Sequence, residues 1–172
     1  MNIDSYNRLC RISERFQPRK FGRICQKLLA LALRSAGYDH VVEREVQGVD
    51  VDAARIGGPR YSIEVKTTKG PTIALSAKDF ECLRQRLADN YLTVIAVLRL
   101  SPLGDWIAID STKVRPGSYL IDKLSAYSIR HLESEMRSAF GEVLRVHSPR
   151  LLQEGPAYLD TVLRKHSVVI TP

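Results

Sequence analysis

Residues 48–68 read Gly-Val-Asp-Val-Asp-Ala-Ala-Arg-Ile-Gly-Gly-Pro-Arg-Tyr-Ser-Ile-Glu-Val-Lys-Thr-Thr. Within this stretch, residues 49–54 and 61–67 each alternate apolar residues with polar or charged ones, which is the period of a half-buried strand. The Gly-Gly-Pro step at residues 57–59 lies between them and favours a tight turn. The stretch therefore predicts a β-hairpin with charged residues along one side.

The charged residues of this hairpin are expected to meet on one face. Side chains alternate between the faces of a strand, so Asp50 and Asp52 share a face, and so do Glu64 and Lys66. A turn centred on residues 57–58 places Asp52 opposite Glu64, and Asp50 opposite Lys66. Three carboxylates and one ammonium in a sheet interior are costly without a counter-charge. A hard divalent cation, Mg²⁺ or Mn²⁺, would provide it through carboxylate and carbonyl oxygens.

An aspartate, a hairpin and then Glu-x-Lys resemble the signature of the PD-(D/E)xK, restriction-endonuclease-like nuclease superfamily. The Gly-Val-Asp-Val segment at 48–51 is similar to that of Mrr-type restriction enzymes. The Ile-Glu-Val-Lys-Thr-Thr strand at 63–68 is similar to archaeal Holliday-junction resolvases and to the C-terminal domain of NO VEIN-type proteins. Residues 73–80 and 91–95 resemble the NO VEIN-type domain best. The resemblance covers about residues 19–110.

The resemblance implies a fold and a set of site residues. The fold is an α/β restriction-endonuclease-like core, a mixed central sheet flanked by helices. Asp50 would be the main metal-binding carboxylate and Glu64 the second, Val65 would add its backbone carbonyl, and Lys66 would act on the attacking water. Asp52 is the alternative to Asp50, because a shift of the turn by one pair exchanges them.

The first helix of the core departs from the family pattern. Related proteins often carry a glycine followed four residues later by a metal-binding glutamate, and here the matching residues are Gly22 and Gln26. A glutamine can offer a carbonyl oxygen or contact a phosphate, but it brings no charge.

Apolar periodicity predicts the remaining elements in chain order. Helices are expected at 4–16, 19–36, 119–146 and 157–166, and a further helix is expected to begin at the capping-box pattern of residues 76–79. Strands outside the hairpin are expected at 38–46, 91–100 and 106–109. Pro149 and the Gly-Pro step at 155–156 are expected to break the last helices into short pieces. We therefore divide the chain into a basic N-terminal helical arm (1–18), a nuclease-like core (19–110) and a helical C-terminal extension (111–172).

The basic residues are unevenly distributed. The chain has a net charge of +7, and residues 1–34 contain eight basic residues but only two acidic ones. Basic segments beside an acidic centre are typical of proteins that hold metal with carboxylates and bind a polyanion with their flanks. We expect DNA contacts from Arg19, Lys20, Arg23, Gln26, Lys27 and Lys69, with Arg23, Lys27 and Arg34 along the solvent side of the 19–36 helix. The alternative is that these residues only solvate the helices.

Several classes of protein are excluded by composition. There is no run of eighteen apolar residues, so no membrane span is expected, and the first residues lack the apolar segment of a secretory signal. Three distant cysteines indicate reduced thiols and a cytoplasmic location. The histidine spacing does not favour a zinc site, and no P-loop is present.

We therefore predict a magnesium-dependent DNA endonuclease, a hydrolase in which a metal-activated water attacks the phosphodiester. Its role would be restriction, defence or DNA processing, with a homodimer and a possible partner protein of a restriction or defence system. The alternatives are a Holliday-junction-resolvase-like nuclease and a catalytically inactive nuclease-fold module that binds DNA or acts as a scaffold.

Overall fold

The computed structural model describes residues 2–44, 49–102 and 104–171, and its secondary structure is mixed α/β. The helices are α1 (Ile3–Arg15), α2 (Pro18–Ser35), α3 (Ala77–Ala88), α4 (Ile121–Leu124), α5 (Arg130–Glu154) and α6 (Ala157–Lys165). The strands are β1 (His40–Arg44), β2 (Val51–Ala54), β3 (Arg60–Thr68), β4 (Thr72–Leu75), β5 (Leu92–Arg99), β6 (Trp106–Asp110), β7 (Gly117–Leu120) and β8 (Val169–Thr171). Short 3-10 turns occupy Ser111–Lys113 and Ser125–Tyr127.

Six of these strands form the central sheet in the order β6-β5-β3-β2-β1-β8. The β3–β5 and β1–β8 pairs are parallel and the other three are antiparallel, so the sheet is mixed. The strands β4 and β7 form a separate antiparallel pair. The predicted hairpin is the β2–β3 pair, and β3 lies in the interior of the sheet.

Each face of the sheet is covered by a different set of helices. The helices α1, α2, α5 and α6 pack on one face, where the apolar stripe of α2 meets alternate residues of β5 such as Val94 and Ala96. The helix α3 packs on the other face, where Phe80 and Leu83 meet Ile95 of β5. Because β5 is apolar on both faces, it suits a strand that is covered on both sides.

The helix α2 is bounded by two residues with clear local roles. Pro18 occupies its first turn, where a missing N–H costs nothing. Gly37 follows its end with φ of 90°, a conformation that favours glycine. The apolar stripe between these residues is buried, which fixes α2 against the sheet.

The predicted fold class is confirmed: a mixed central sheet is flanked by helices, and the C-terminal third is mostly helical. The residues of α1 are not a detached arm, because Leu9 and Ile12 are fully buried in the same core as α2. The predicted end of the first core strand at Val46, and Gly48 of the quoted motif, lie outside the described residues.

Three details of the C-terminal third differ from the prediction. Residues 119–129 are not part of one long helix, since they contain the end of β7, the short α4 and a 3-10 turn, and α5 begins only at Arg130. Pro149 lies inside α5 and does not end it, because Leu144 and Leu151 are buried on either side and hold the helix to the core. The strand β8 was not predicted, and it pairs with β1 at the edge of the sheet.

No helix among the described residues is both long and apolar enough to cross a bilayer.

Candidate active site

The register of the hairpin differs from the predicted one by one pair. Asp52 lies opposite Ser62, and the backbone N–H of Asp50 donates to the carbonyl of Ile63 at 3.0 Å. The turn is therefore centred on Gly57. The predicted pairs, Asp52 with Glu64 and Asp50 with Lys66, were wrong. The correct register places Asp50, which directly precedes β2, beside Glu64 and Val65.

Lys66 is held by two carboxylates on the α3 side of the sheet. Its Nζ donates to Oε1 of Glu64 at 2.7 Å and to Oδ1 of Asp79 at 2.9 Å. The side chains of Glu64 and Asp79 are only 11% and 12% exposed, so this cluster is largely screened from water. The predicted group included Asp52, which bonds elsewhere, and the carboxylate found beside Lys66 in addition to Glu64 is that of Asp79.

Asp79 is the site residue that sequence reasoning missed. The sequence marks it as the acid of the capping box that opens α3, and the structure confirms that role: its Oδ2 accepts from the backbone N–H of Ser76 at 2.8 Å. Its pKa is lowered because, although burial raises it, the hydrogen bonds from Lys66 and Ser76 outweigh burial. Local pattern could not reveal the contact with Lys66, which depends on how α3 docks on β3.

Asp50 faces the edge of β3 next to this cluster. Its Oδ2 accepts from the backbone N–H of Val65 at 2.7 Å. Burial raises its pKa, in spite of that hydrogen bond and of the nearby charges of Lys66 and Arg23. The N–H and C=O of one strand residue point to the same side, so the carbonyl of Val65 faces the same edge as the Asp50 carboxylate.

The cluster contains more carboxyl groups than ammonium groups. Burial, together with the charge of Asp50, raises the pKa of Glu64 to about 7. Burial by itself lowers the pKa of Lys66, but Glu64 and Asp79 outweigh it and the net shift is upward. Lys66 is therefore a stable ammonium, suited to orienting an anionic group.

The oxygen atoms at this position fit a hard divalent cation. Asp50, Glu64 and the carbonyl of Val65 are oxygen donors of the kind that Mg²⁺ and Mn²⁺ prefer, and two carboxylates are enough for Mg²⁺ when water completes the shell. Burial is the main cause that raises the pKa of both carboxyls, so a bound cation would favour their ionised forms. Among the residues described, no three His, Cys, Asp or Glu side chains are grouped so as to hold a metal, so the fit rests on these two carboxylates and the backbone.

Asp52, predicted as an alternative metal ligand, has a structural role. Its carboxylate accepts from Ser62 Oγ at 2.6 Å and from Arg44 Nη2 at 2.8 Å, and it also pairs with Arg86 of α3. The side chain is only 2% exposed. Because two guanidinium groups already balance its charge, Asp52 is a poor ligand for a cation.

Gln26, predicted to contact nucleic acid, is buried. Its Nε2 donates to Glu43 Oε1 at 2.8 Å, to the carbonyl of Arg44 at 2.7 Å and to the carbonyl of Asp50 at 3.3 Å. All three partners are acceptors, so this position needs a donor, which an ionised glutamate cannot supply. Gln26 joins α2 to the end of β1 and to the backbone of Asp50, and it is not placed to reach DNA.

The predicted basic row divides into two groups. Lys27 is buried and pairs with Asp160 of α6, so it was wrongly predicted to face solvent. Arg34 is half-buried and donates to the carbonyls of Tyr38 and Asp39. The burial of Lys27 follows from the packing of α6 on α2, a contact that the periodicity of α2 cannot show.

The other basic residues lie at the surface near the carboxylates. Arg19, Lys20 and Lys69 are exposed, and Arg23 is half-buried with its charge acting on Asp50. A side chain at Gly22 would meet Thr67 Oγ1 at 3.7 Å, which shows that the first turns of α2 lie beside the end of β3. The start of α2 and the end of β3 thus bring positive charge to the margin of the acidic site.

The chain was also compared with known proteins. No family model matches it, and no curated protein is similar to it. Among solved structures, that of Hjc, a Holliday junction resolvase from the archaeal hyperthermophile Archaeoglobus fulgidus, is similar over 57% of this chain and 89% of that one. The identity is 19% and the TM-score 0.48. At this level of likeness, function has to be argued from the site itself.

Proposed function

We propose that this protein is a divalent-cation-dependent DNA endonuclease. The observation that carries the proposal is the proximity of Asp50, just before β2, to Glu64 and Lys66 of β3, with the pKa of both carboxyls raised mainly by burial. A structural ion pair joins one acid to one base, whereas here the half-buried ammonium of Lys66 contacts two carboxylates and lies near a third, that of Asp50. A cation-binding role accounts for the excess.

The residues of the site would have different roles in phosphodiester hydrolysis. Asp50, Glu64 and the Val65 carbonyl would hold Mg²⁺ or Mn²⁺. Such an ion lowers the pKa of bound water and neutralises charge that develops on phosphate. The ammonium of Lys66 would donate a hydrogen bond to a phosphate oxygen and stabilise its negative charge.

The substrate would lie against the basic margin. Arg19, Lys20 and Lys69 would contact phosphates on either side of the cleaved bond, and Arg23 would lie between them and Asp50. Phosphate contacts of this kind position the nucleic acid without reading its sequence. They support DNA as a polyanionic substrate and leave sequence preference open to experiment.

The test is a cleavage assay on supercoiled, linear and branched DNA with Mg²⁺, Mn²⁺ or a chelator. Lys66→Ala and Glu64→Ala should each reduce cleavage by at least about 100-fold, since each removes a charged group from the reacting centre. Lys165→Ala, which removes an exposed lysine at the end of α6, is the matched control. DNA binding without cation-dependent cleavage would contradict the proposal and indicate an inactive nuclease-fold module.

The different DNA substrates of the same assay distinguish two biological roles. The likeness of residues 48–51 to Mrr-type enzymes supports restriction or defence, for which linear and supercoiled duplexes should be cut. Preferential cutting of a four-way junction would instead indicate junction resolution.

We also propose a homodimer, because two sites are needed to cut both strands of a duplex in one encounter. Light scattering of the purified protein in the presence and absence of DNA would test this. A monomer under both conditions would contradict it.

A further inference from the structure

Lys66 has two carboxylate partners, and they differ in how firmly they are held. Glu64 lies two residues away on the same strand, and its Oε1 is the atom that Lys66 contacts. On the proposed function, that same carboxylate is a ligand of the cation. The cation and the ammonium therefore compete for one group.

Asp79 is the partner that does not face this competition. Its two oxygen atoms have separate tasks, because Oδ2 accepts from the backbone N–H of Ser76 while Oδ1 accepts from Lys66 Nζ. The backbone N–H of Asp79 in turn donates to Ser76 Oγ at 3.4 Å, which completes the capping box. The adjacent Phe80 packs in the core between α3 and the sheet, so the first turn of α3 is anchored.

We infer that Asp79 is a positioning residue of the site, which keeps the Lys66 ammonium in place when Glu64 turns to a divalent cation. The inference rests on the proposed function. With Asp79 present, Lys66 can give up its contact with Glu64 and still be paired. Without Asp79, Glu64 is the remaining carboxylate for Lys66, and the ammonium then opposes cation binding.

The inference predicts a coupling between Asp79 and Lys66 in cation affinity, which can be measured without DNA or catalysis. The experiment measures Mn²⁺ binding by the paramagnetic signal of free Mn²⁺ for the wild type, Asp79→Asn, Lys66→Met and the double variant. Asp79→Asn lowers affinity in either background, because it removes a negative charge. The loss should be larger by about tenfold when Lys66 is present, a typical coupling for residues in direct contact.

Two control variants separate positioning from helix capping and from general charge. Ser76→Ala removes the hydroxyl of the capping box but leaves the contact between Asp79 and Lys66, so Mn²⁺ affinity should stay within about twofold, as for a change outside the ion network. Glu81→Gln removes an exposed carboxylate from the same helix and should likewise have little effect. Asparagine at 79 retains an oxygen that can accept from Ser76, so α3 should still form, and thermal unfolding would check this.

Three other results would overturn the inference. If Asp79→Asn lowers Mn²⁺ affinity equally with and without Lys66, Asp79 does not position Lys66. That result would reject the inference but not the proposed cation site. The same loss in Ser76→Ala would assign the effect to helix capping. A wild-type protein that binds no Mn²⁺ would reject the proposed function together with the inference.

Discussion

The carboxylate of Glu64 accepts a hydrogen bond from Lys66, two residues along β3, at an Oε1–Nζ distance of 2.7 Å, yet its pKa is raised to about 7. An ammonium at this distance normally lowers the pKa of a carboxyl group. Burial and the neighbouring charge of Asp50 outweigh it here. The ionised site is therefore under electrostatic strain that a cation would relieve.

This relationship predicts how stability depends on pH. An unfolded glutamate ionises near pH 4.5, whereas folded Glu64 retains its proton to about pH 7. The folded state binds more protons between these values, so the free energy of unfolding should fall as pH rises from about 4.5 to about 7. Thermal unfolding in a chelator should show this fall, and saturating Mg²⁺ should remove it.

The comparison with Glu64→Gln isolates the contribution of this residue. His147 has a lowered pKa, caused mainly by burial, and therefore gives a slope of the opposite sign in part of the same range. It is present in both proteins, so the difference between their pH profiles reports on Glu64 and its neighbour Asp50. Parallel profiles for the two proteins would contradict the raised pKa of Glu64.

Two aspartates in the same hairpin should respond oppositely to the same substitution. Asp52→Asn leaves Arg44 and Arg86 without their shared carboxylate, so the free energy of unfolding should fall by on the order of 2–3 kcal/mol, as when a buried ion pair loses one partner. Asp50→Asn removes a buried charge whose pKa is already raised, so stability in a chelator should be retained or increased.

Cation binding should show the reverse order for these two variants. Mn²⁺ affinity should be lost in Asp50→Asn and retained in Asp52→Asn wherever that variant is folded. The measurements are chemical denaturation and Mn²⁺ titration on the same two preparations. Loss of Mn²⁺ binding in a folded Asp52→Asn protein would restore Asp52 as a ligand.

The sequence was sufficient for the hairpin and for the residue types of the site, but not for their pairing. Alternation of apolar and charged residues placed Glu64 and Lys66 on one face, which the structure retains. The register depends on where the turn closes. Asp52 lies opposite Ser62, two residues before its predicted partner Glu64, so that Asp50 takes the position expected for Asp52. A period of two cannot detect such a shift, because both registers keep the same residues on the same face.

Contacts between distant elements explain the other errors. Lys27 and Gln26 lie on α2 at positions that look polar along the helix, and both are buried because β1 and α6 pack on them. Asp79 looked like a helix cap and is also a partner of Lys66. In each case the side chain has a second partner far away in sequence, and local periodicity contains no information about it.

The burial of Gln26 predicts the effect of placing a glutamate at this position. Gln26→Glu replaces a donor by a carboxylate facing Glu43 and two backbone carbonyls, so the protein should be destabilised by on the order of 3 kcal/mol at neutral pH, the cost of an unpaired buried charge. Gln26→Met, of similar volume and without charge, is the matched control and should cost less. Chemical denaturation at pH 7 measures both. A Gln26→Glu protein that is stable and binds an additional cation would contradict this account.

The last prediction concerns the basic margin, where Lys20 and Lys27 lie on the same helix in different surroundings. Arg19→Ala and Lys20→Ala should weaken DNA binding and reduce the salt dependence of log K by about 0.9 for each lost phosphate contact. Lys27→Ala should leave that slope unchanged but lower stability by on the order of 1–2 kcal/mol, because its buried ammonium pairs with Asp160. Fluorescence anisotropy with duplex DNA in a chelator, at several salt concentrations, measures the slopes without cleavage. If Lys27→Ala alone changes the slope, the DNA lies along a different side of α2 from the one that the exposed residues define.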